Sequence, residues 1–279
     1  MKTKLFAIVF ALATLVTYSQ DFSGKAIYKT SRKSNFKIND SKMTDKQKAQ
    51  FEARVRKMNQ KTYILNFDKN TSTYEEDVKL DAPKKPNVGG STLMVMSFGG
   101  SGDQSIYYKN IKENRFVNQT DIMSKPFLVK DKLKEYSWEM STETKNIGNY
   151  TCYKATHTEE VENTKVSIVN GETKEVTEKK MVTTTAWYTP QIPVSNGPNN
   201  YHGLPGLILE INDGTTTTVC TEIILNSDEK IKIDEPTKGK EVTQAEFDEI
   251  SEKKSKEMME RFKSRNGVDM GNGIRIKMN

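Results

Sequence analysis

Residues Asn199 to Gly214 read NNYHGLPGLILEINDG, and their reading decides the fold. Leu204-Pro205-Gly206-Leu207 has the form of a type II turn: proline presets φ at the second position, and glycine supplies the positive φ that the third requires. Leu207 to Ile211 is then predicted as a strand, with Leu207, Leu209 and Ile211 on one face and Ile208 and Glu210 on the other. Asn212-Asp213-Gly214 ends it, and TTTTVCTEIIL returns as its hairpin partner. Upstream, AWYTPQIPVSNGP meets three prolines in nine residues, each of which removes a ladder donor. Ala186 to Tyr188 is therefore read as a strand, and Thr189 to Gly203 as a rigid connection.

Strand text dominates outward from this point. GKAIYKTSRK reads as a first strand, and KTYILNFDKNTSTYEED as two strands across a turn at Asp68 to Asn70. From Ile106, the segments SIYYKNI, NRFVNQTDI, PFLVKDKL, YSWEMSTET, NYTCYKATHT, KVSIVN, TTTAWYT, LILEIND, TTVCTEIIL and KIKIDE are short, rich in β-branched and aromatic residues, and separated by turn residues. Gly148-Asn149, Asn170-Gly171 and Asp213-Gly214 are expected tight turns. Strands at this spacing without intervening helices imply antiparallel meanders and exclude a doubly wound parallel sheet.

Two helices are expected beside the sheet. Thr44 and Gln47 form a capping box ahead of Phe51, Val55 and Met58, and Thr243 and Glu246 form another ahead of Phe247, Ile250, Met258 and Phe262, giving a C-terminal helix at about 243–264. Residues 82–104, APKKPNVGGSTLMVMSFGGSGDQ, break the pattern and read as a long loop. The expected fold class is mainly β (α+β): a curved antiparallel sheet or half-barrel with two accessory amphipathic helices, in a single β-rich domain over 20–279.

Residues 1–19 have the form of a secretory signal. Lys2 and Lys4 precede a short apolar core from Leu5 to Val16, and Thr17-Tyr18-Ser19 puts small residues where the peptidase reads. A core of that length is too short to span a bilayer. The mature chain is expected to be exported, to the periplasm or the cell exterior, with no transmembrane segment. Export permits a disulfide between Cys152 and Cys220 if their strands are neighbours, while free buried thiols are an equally ordinary outcome.

Charge and motifs exclude several classes. The formal charge is +6 with 29% charged residues of mixed sign, and no basic stripe interleaved with aromatics points to nucleic acid. The glycine-rich run GGSTLMVMSFGGSG lacks the Lys-Ser/Thr ending of a phosphate loop, and no GxSxG is present. No cofactor motif is found. The chain has two histidines. His157 shares a strand face with Glu159, but two ligands are too few for a closed metal site. His202 precedes the turn and is read mainly as turn packing, with a hydrolase or metal role through His202 or His157 as the lesser alternative.

The hexapeptide Gly203 to Ile208, GLPGLI, resembles the signature of the GLPGLI family of exported proteins, typical of the Bacteroidetes. Trp138-Glu139, Lys145-Asn146-Ile147-Gly148, Cys152-Tyr153-Lys154-Ala155 and Ala186-Trp187-Tyr188-Thr189-Pro190-Gln191-Ile192-Pro193 are also in that family's style. The resemblance covers about Ile106 to Asp213 and brings no established activity and no catalytic residues. By architecture the strand order is also similar to exported half-barrels that carry lipids or lipoproteins. The expected function is a non-enzymatic envelope protein binding an apolar small molecule or an envelope polypeptide on the sheet. Trp138, Trp187, Tyr188, Leu204, Leu207 and Leu209 would line or support that surface. An interaction module acting with outer-membrane receptors through a sheet edge is the alternative. In the pair Trp187-Tyr188 one ring must point inward, and the ordinary outcome is a core tryptophan with the tyrosine at the rim.

Overall fold

The structure is a computed structural model that describes residues 22–33, 60–77, 105–169, 172–227 and 231–265, with four isolated positions between 44 and 53. Its strands are β1 (Ser23–Arg32), β2 (Gln60–Asp68), β3 (Thr71–Glu76), β4 (Ile106–Asn110), β5 (Arg115–Ile122), β6 (Lys125–Lys132), β7 (Glu139–Ile147), β8 (Tyr150–Val169), β9 (Glu172–Thr189), β10 (Leu207–Asn212), β11 (Thr216–Leu225) and β12 (Lys240–Val242), followed by helix α1 (Gln244–Arg265). All twelve strands join one sheet in the order β12-β6-β5-β4-β3-β2-β1-β11-β10-β9-β8-β7. The fold is mainly β, as expected. Among the described residues the sheet is open, with β12 and β7 as its edges.

Local chemistry explains most of the meander. At the β2–β3 turn the Asp68 carboxylate accepts from the Asn70 and Thr71 amides at 2.7 and 2.6 Å. Gly148 at φ 58° turns β7 into β8, and Gly214 at φ 90° turns β10 into β11. At the second of these turns Asp213 Oδ1 accepts from the Thr215 and Thr216 amides. Asn170-Gly171 lies outside the described residues.

Three expectations change. KIKIDE is not a strand: residues 231–238 carry no regular structure, and Glu235 instead pairs with Arg115 at 2.8 Å. The sheet is not wholly antiparallel, because β12 pairs parallel with β6. Of the two helices, one helical element is found among the described residues. The expected first helix falls largely outside them, as do the loop at 82–104 and the signal at 1–19. The second helix runs as expected: the Thr243 amide donates to Glu246 at 2.8 Å and the Glu246 amide to Thr243 Oγ1 at 3.3 Å, a reciprocal capping box. Phe247 and Ile250 then seat α1 on a cluster of Phe116, Phe127, Val129 and Leu133.

The main core lies where β1, β2, β3 and β11 meet the β9–β10 connection. Ala26, Tyr28, Leu65, Phe67, Tyr74 and Cys220 pack with Ile192 and Val194 from the connection, and with Leu207 and Leu209 from β10. A second cluster joins Ala155, Ala186, Tyr188, Leu204, Ile208 and Ile211. Both cysteines are free and buried. Burial pushes the Cys152 thiol up to about 11 and the Cys220 thiol up to about 12, so neither is a ready thiolate.

Candidate functional site

The decisive hexapeptide sits where the sheet splays. β10 pairs with β11 only over Glu210 to Asn212. At the start of β10 the connection takes over the ladder: the Leu207 amide donates to Ile192 O at 3.0 Å and the Ile208 amide to Asn196 O at 2.9 Å. Tyr28 Oη, fully buried on β1, donates to Ile208 O at 2.7 Å. The polar groups exposed by the splay are thereby satisfied, as buried main chain requires.

The turn itself differs from expectation. The Gly206 amide donates to Leu204 O at 2.8 Å, closing a three-residue turn about Pro205. Proline's fixed φ suits the centre of such an inverse γ-turn. The left-handed φ belongs to Gly203, at 94°, and not to Gly206. Gly206 is required by contact: a Cβ there would lie 2.2 Å from Thr189 O. The sequence correctly placed a proline-glycine bend, but the backbone approach that selects the second glycine is a tertiary fact.

Lysine supplies the lock for this connection. Lys109 on β4 is fully buried, and its Nζ donates to the carbonyls of Gly197 and Asn199 at 2.6 Å and of Tyr201 at 3.1 Å. Three donors meet three acceptors. Burial without an acidic partner pulls this amine well below the ordinary lysine value. Sequence reasoning missed Lys109, because nothing in SIYYKNI distinguishes it from a solvated lysine.

A second segment, from Leu133 to Trp138, runs from β6 to β7 and crosses the connection. Trp138 Nε1 donates to His202 O at 2.8 Å, and His202 Nε2–H donates to Lys134 O at 2.9 Å. Tyr136 stacks on Trp138 with centroids 5.2 Å apart and meets Tyr201 at 5.5 Å, His202 at 5.7 Å and His157 at 5.3 Å. The rings spend their faces on one another. His202 is a clasp between two segments. Burial, then the nearby Lys109 charge, lowers its pKa to about 4, against the pull of the Lys134 carbonyl. No acid or nucleophile is hydrogen-bonded to its ring among the described residues.

The six expected ligand residues are not brought to one surface. Leu207 and Leu209 lie in the main core, with Trp187 packed against it, while Leu204 and Tyr188 lie in the second cluster with Trp138 at its margin. Leu204, Leu207 and Leu209 are 1%, 0% and 0% exposed. In the adjacent pair Trp187 does turn to the main core, but Tyr188 is not at a rim: it is buried in the second cluster. Tyr188 is buried and donates to Met140 Sδ, whereas Trp187 is half-buried beneath the Lys145 ammonium, 4.3 Å from its ring centroid. A cleft of about 410 Å³ lies elsewhere, between α1 and the β5–β6 turn, lined by Ile122, Met123, Phe127, Ile250 and Met258.

His157 and Glu159 share a face of β8, as their spacing implied, with Nε2 and Oε2 3.8 Å apart. Among the described residues no group of three or more His, Cys, Asp or Glu side chains is placed to hold a metal. No helix among them is long and apolar enough to cross a membrane.

Beyond Thr158 the β8–β9 pair leaves the sheet. β7 pairs with β8 only as far as Thr156, and β10 pairs with β9 only from Thr185. Residues 158–169 and 172–183 therefore pair only with each other among the described residues, as a two-stranded ribbon. At 3.3 Å per residue it projects roughly 40 Å. Glu160 pairs with Lys179 at 2.7 Å, and Met181 is 61% exposed.

Comparison with known proteins adds the following. A search of curated proteins finds no match. Among solved structures, PNGF-II in space group C2 is similar at 14% identity and a TM-score of 0.46, over 84% of this chain and 33% of that one. PNGF-II in space group P21 is similar at 13% identity and a TM-score of 0.47, over 83% and 33% respectively. The chain thus spans about a third of the length of those structures. Residues 138–210, from Trp138 through the ribbon and the proline-rich connection to Glu210, match the model of a Bacteroidetes-type family described as "Protein of unknown function (Porph_ging)".

Proposed function

We propose that this chain is an exported, non-enzymatic envelope protein of the GLPGLI type that binds a partner polypeptide along the β8–β9 ribbon. The observation that carries the reading is the ribbon itself. A two-stranded hairpin is marginal in water by itself, and among the described residues no third strand pairs with this one beyond the sheet. Edges of this kind add a strand from another chain through main-chain hydrogen bonds. Charged residues such as Glu160 and Lys179 guard the edges against unselective pairing.

The polypeptide reading is preferred over an apolar small molecule because Leu204, Leu207 and Leu209 are consumed by the core. Trp138, Trp187 and Tyr188 then act as supports of the wall from which the ribbon springs. Export rests on the leader-like residues 1–19, and amino-terminal sequencing of the envelope-derived protein should start near Gln20.

Photo-crosslinkers placed at Thr158, Glu160 and Thr183 in cells test the binding reading, with Met123 as a distant control. Crosslinks to one discrete polypeptide confined to the ribbon positions are expected. Equal crosslinking at Met123, or none at the ribbon, would remove the proposal.

A further inference from the structure

The two sides of the β8–β9 ribbon differ in what lies beside them. On the β8 side, β7 starts at Glu139, opposite Thr156, and the chain that enters it lies against the root of the ribbon. The His157 ring donates from Nδ1 to Ser137 O at 3.1 Å, and Lys134 Nζ stands 2.6 Å from both Glu159 carboxylate oxygens. The first residues of β8 beyond the sheet therefore already carry a neighbour. On the β9 side, β10 runs towards the ribbon and stops at Asn212, opposite Thr185. Gly214, at φ 90°, then turns the chain away into β11. Among the described residues no strand takes up the line that β10 leaves, alongside β9 from Thr183 outward.

The charges of the two sides also differ. From Thr158 to Glu162, β8 carries Glu159, Glu160 and Glu162 with no lysine or arginine among them. The facing part of β9 carries Lys179 and Lys180 beside Glu178, all exposed. Lys179 answers Glu160 at 2.7 Å, while Lys180 projects from the opposite face of the strand. Met181 is 61% exposed and Val182 is half-buried. An added strand is stabilised by opposite charges and apolar side chains directly across from it, and like charges there oppose it. We propose that the partner strand of the ribbon adds to β9, in the line that β10 vacates, and that it is an acidic strand with apolar residues beside its carboxylates. A carboxylate across from Lys180 and apolar side chains across from Met181 and Val182 complement this side. The same strand on β8 would meet three glutamates. The assignment rests on the ribbon reading above and adds to it the side used and the chemistry of the occupant.

The test is amide hydrogen exchange, followed by NMR, in the full chain mixed with a soluble peptide of repeated Val-Val-Glu-Glu, and with its counterpart that has lysine for glutamate. The glutamate peptide should bind more tightly and slow exchange within residues 178–183, with no slowing within residues 158–162. Lys180→Glu, at an exposed position that the fold tolerates, should weaken its binding several-fold. Slowing at residues 158–162 instead, tighter binding of the lysine peptide, or unchanged affinity in Lys180→Glu would each overturn the assignment and leave the ribbon reading in place. If neither peptide slows exchange in the ribbon, the assignment falls as well, and the cellular crosslinks at Thr158, Glu160 and Thr183 decide the ribbon reading by themselves.

Discussion

Lys109 Nζ and the carbonyl oxygen of Gly197 are joined by a 2.6 Å hydrogen bond, although Lys109 lies on β4 and Gly197 lies in the connection between β9 and β10. This bond and its two companions bind the proline-rich connection across the face of the sheet. Ser72 on β3 reinforces it, donating to Asn196 Oδ1 at 3.3 Å. A lone buried ammonium is costly, but here every proton is donated to a carbonyl.

Replacing Lys109 by Met keeps the stem and removes the ammonium. Three carbonyls then lose their donor, at about 1–3 kcal/mol for the buried Gly197 oxygen and less for the part-buried oxygens of Asn199 and Tyr201. Relief of the buried charge offsets part of that. A net loss of about 2–4 kcal/mol in urea unfolding is expected, with faster amide exchange in residues 196–202. An unchanged unfolding midpoint would show that the connection is held by its apolar contacts alone.

Gly206→Ala should be worse than Gly203→Ala. The first drives a Cβ to within 2.2 Å of Thr189 O, backbone that cannot step aside. The second meets only the Trp138 ring, with Nε1 at 3.5 Å and Cδ1 at 3.6 Å, and its cost is that of a left-handed φ. About 3 kcal/mol is expected for Gly206→Ala and about 1 kcal/mol for Gly203→Ala. Thermal denaturation of both variants measures the order, and the reverse order would contradict the contact argument.

Tyr28→Phe removes one hydroxyl from the heart of the splay. Ile208 O then loses its 2.7 Å donor in a site closed to water. A loss of about 1–3 kcal/mol in chemical denaturation is expected. A neutral outcome would mean that β10 recloses on β11, which a structure of the variant would display.

His202 makes stability depend on acid. Its pKa is about 4 in the folded chain, against 6.5 for a free histidine. Above about pH 6.5 both states are neutral and the clasp is fully present. As the pH falls towards 4 the unfolded chain takes up a proton that the folded chain refuses, so stability is lost. Because the ring is partly solvated, the loss is on the order of 2 kcal/mol. His202→Gln retains a donor for Lys134 O and does not titrate. Urea midpoints of this variant should fall less than wild type between pH 7 and pH 4, and parallel profiles would refute the assignment.

Much of the sheet was legible because its causes are local. Asp68, Gly148 and Asp213-Gly214 close their turns with groups a few residues away, and Thr243 with Glu246 begins α1 through the same short-range logic. KIKIDE failed for the opposite reason: it alternates like a strand, but Glu235 is taken by Arg115, and the pairing beside β6 goes to Lys240–Val242. The candidate site was less legible. The spacing of His157 and Glu159 placed them on one face, but the Ser137 carbonyl that orients the imidazole arrives from a separate segment.

By itself, the sequence determined the β-rich class, the tight turns, the capped C-terminal helix and the bend at Pro205, since each follows from φ preferences and contacts within a few residues. Tertiary structure alone decided which glycine the bend required, that Lys109 is buried, that Tyr188 is more deeply buried than Trp187, and that β8 and β9 outrun their neighbours. Those outcomes depend on groups far apart in the chain, and a pattern of period two is blind to which distant strand will stand alongside.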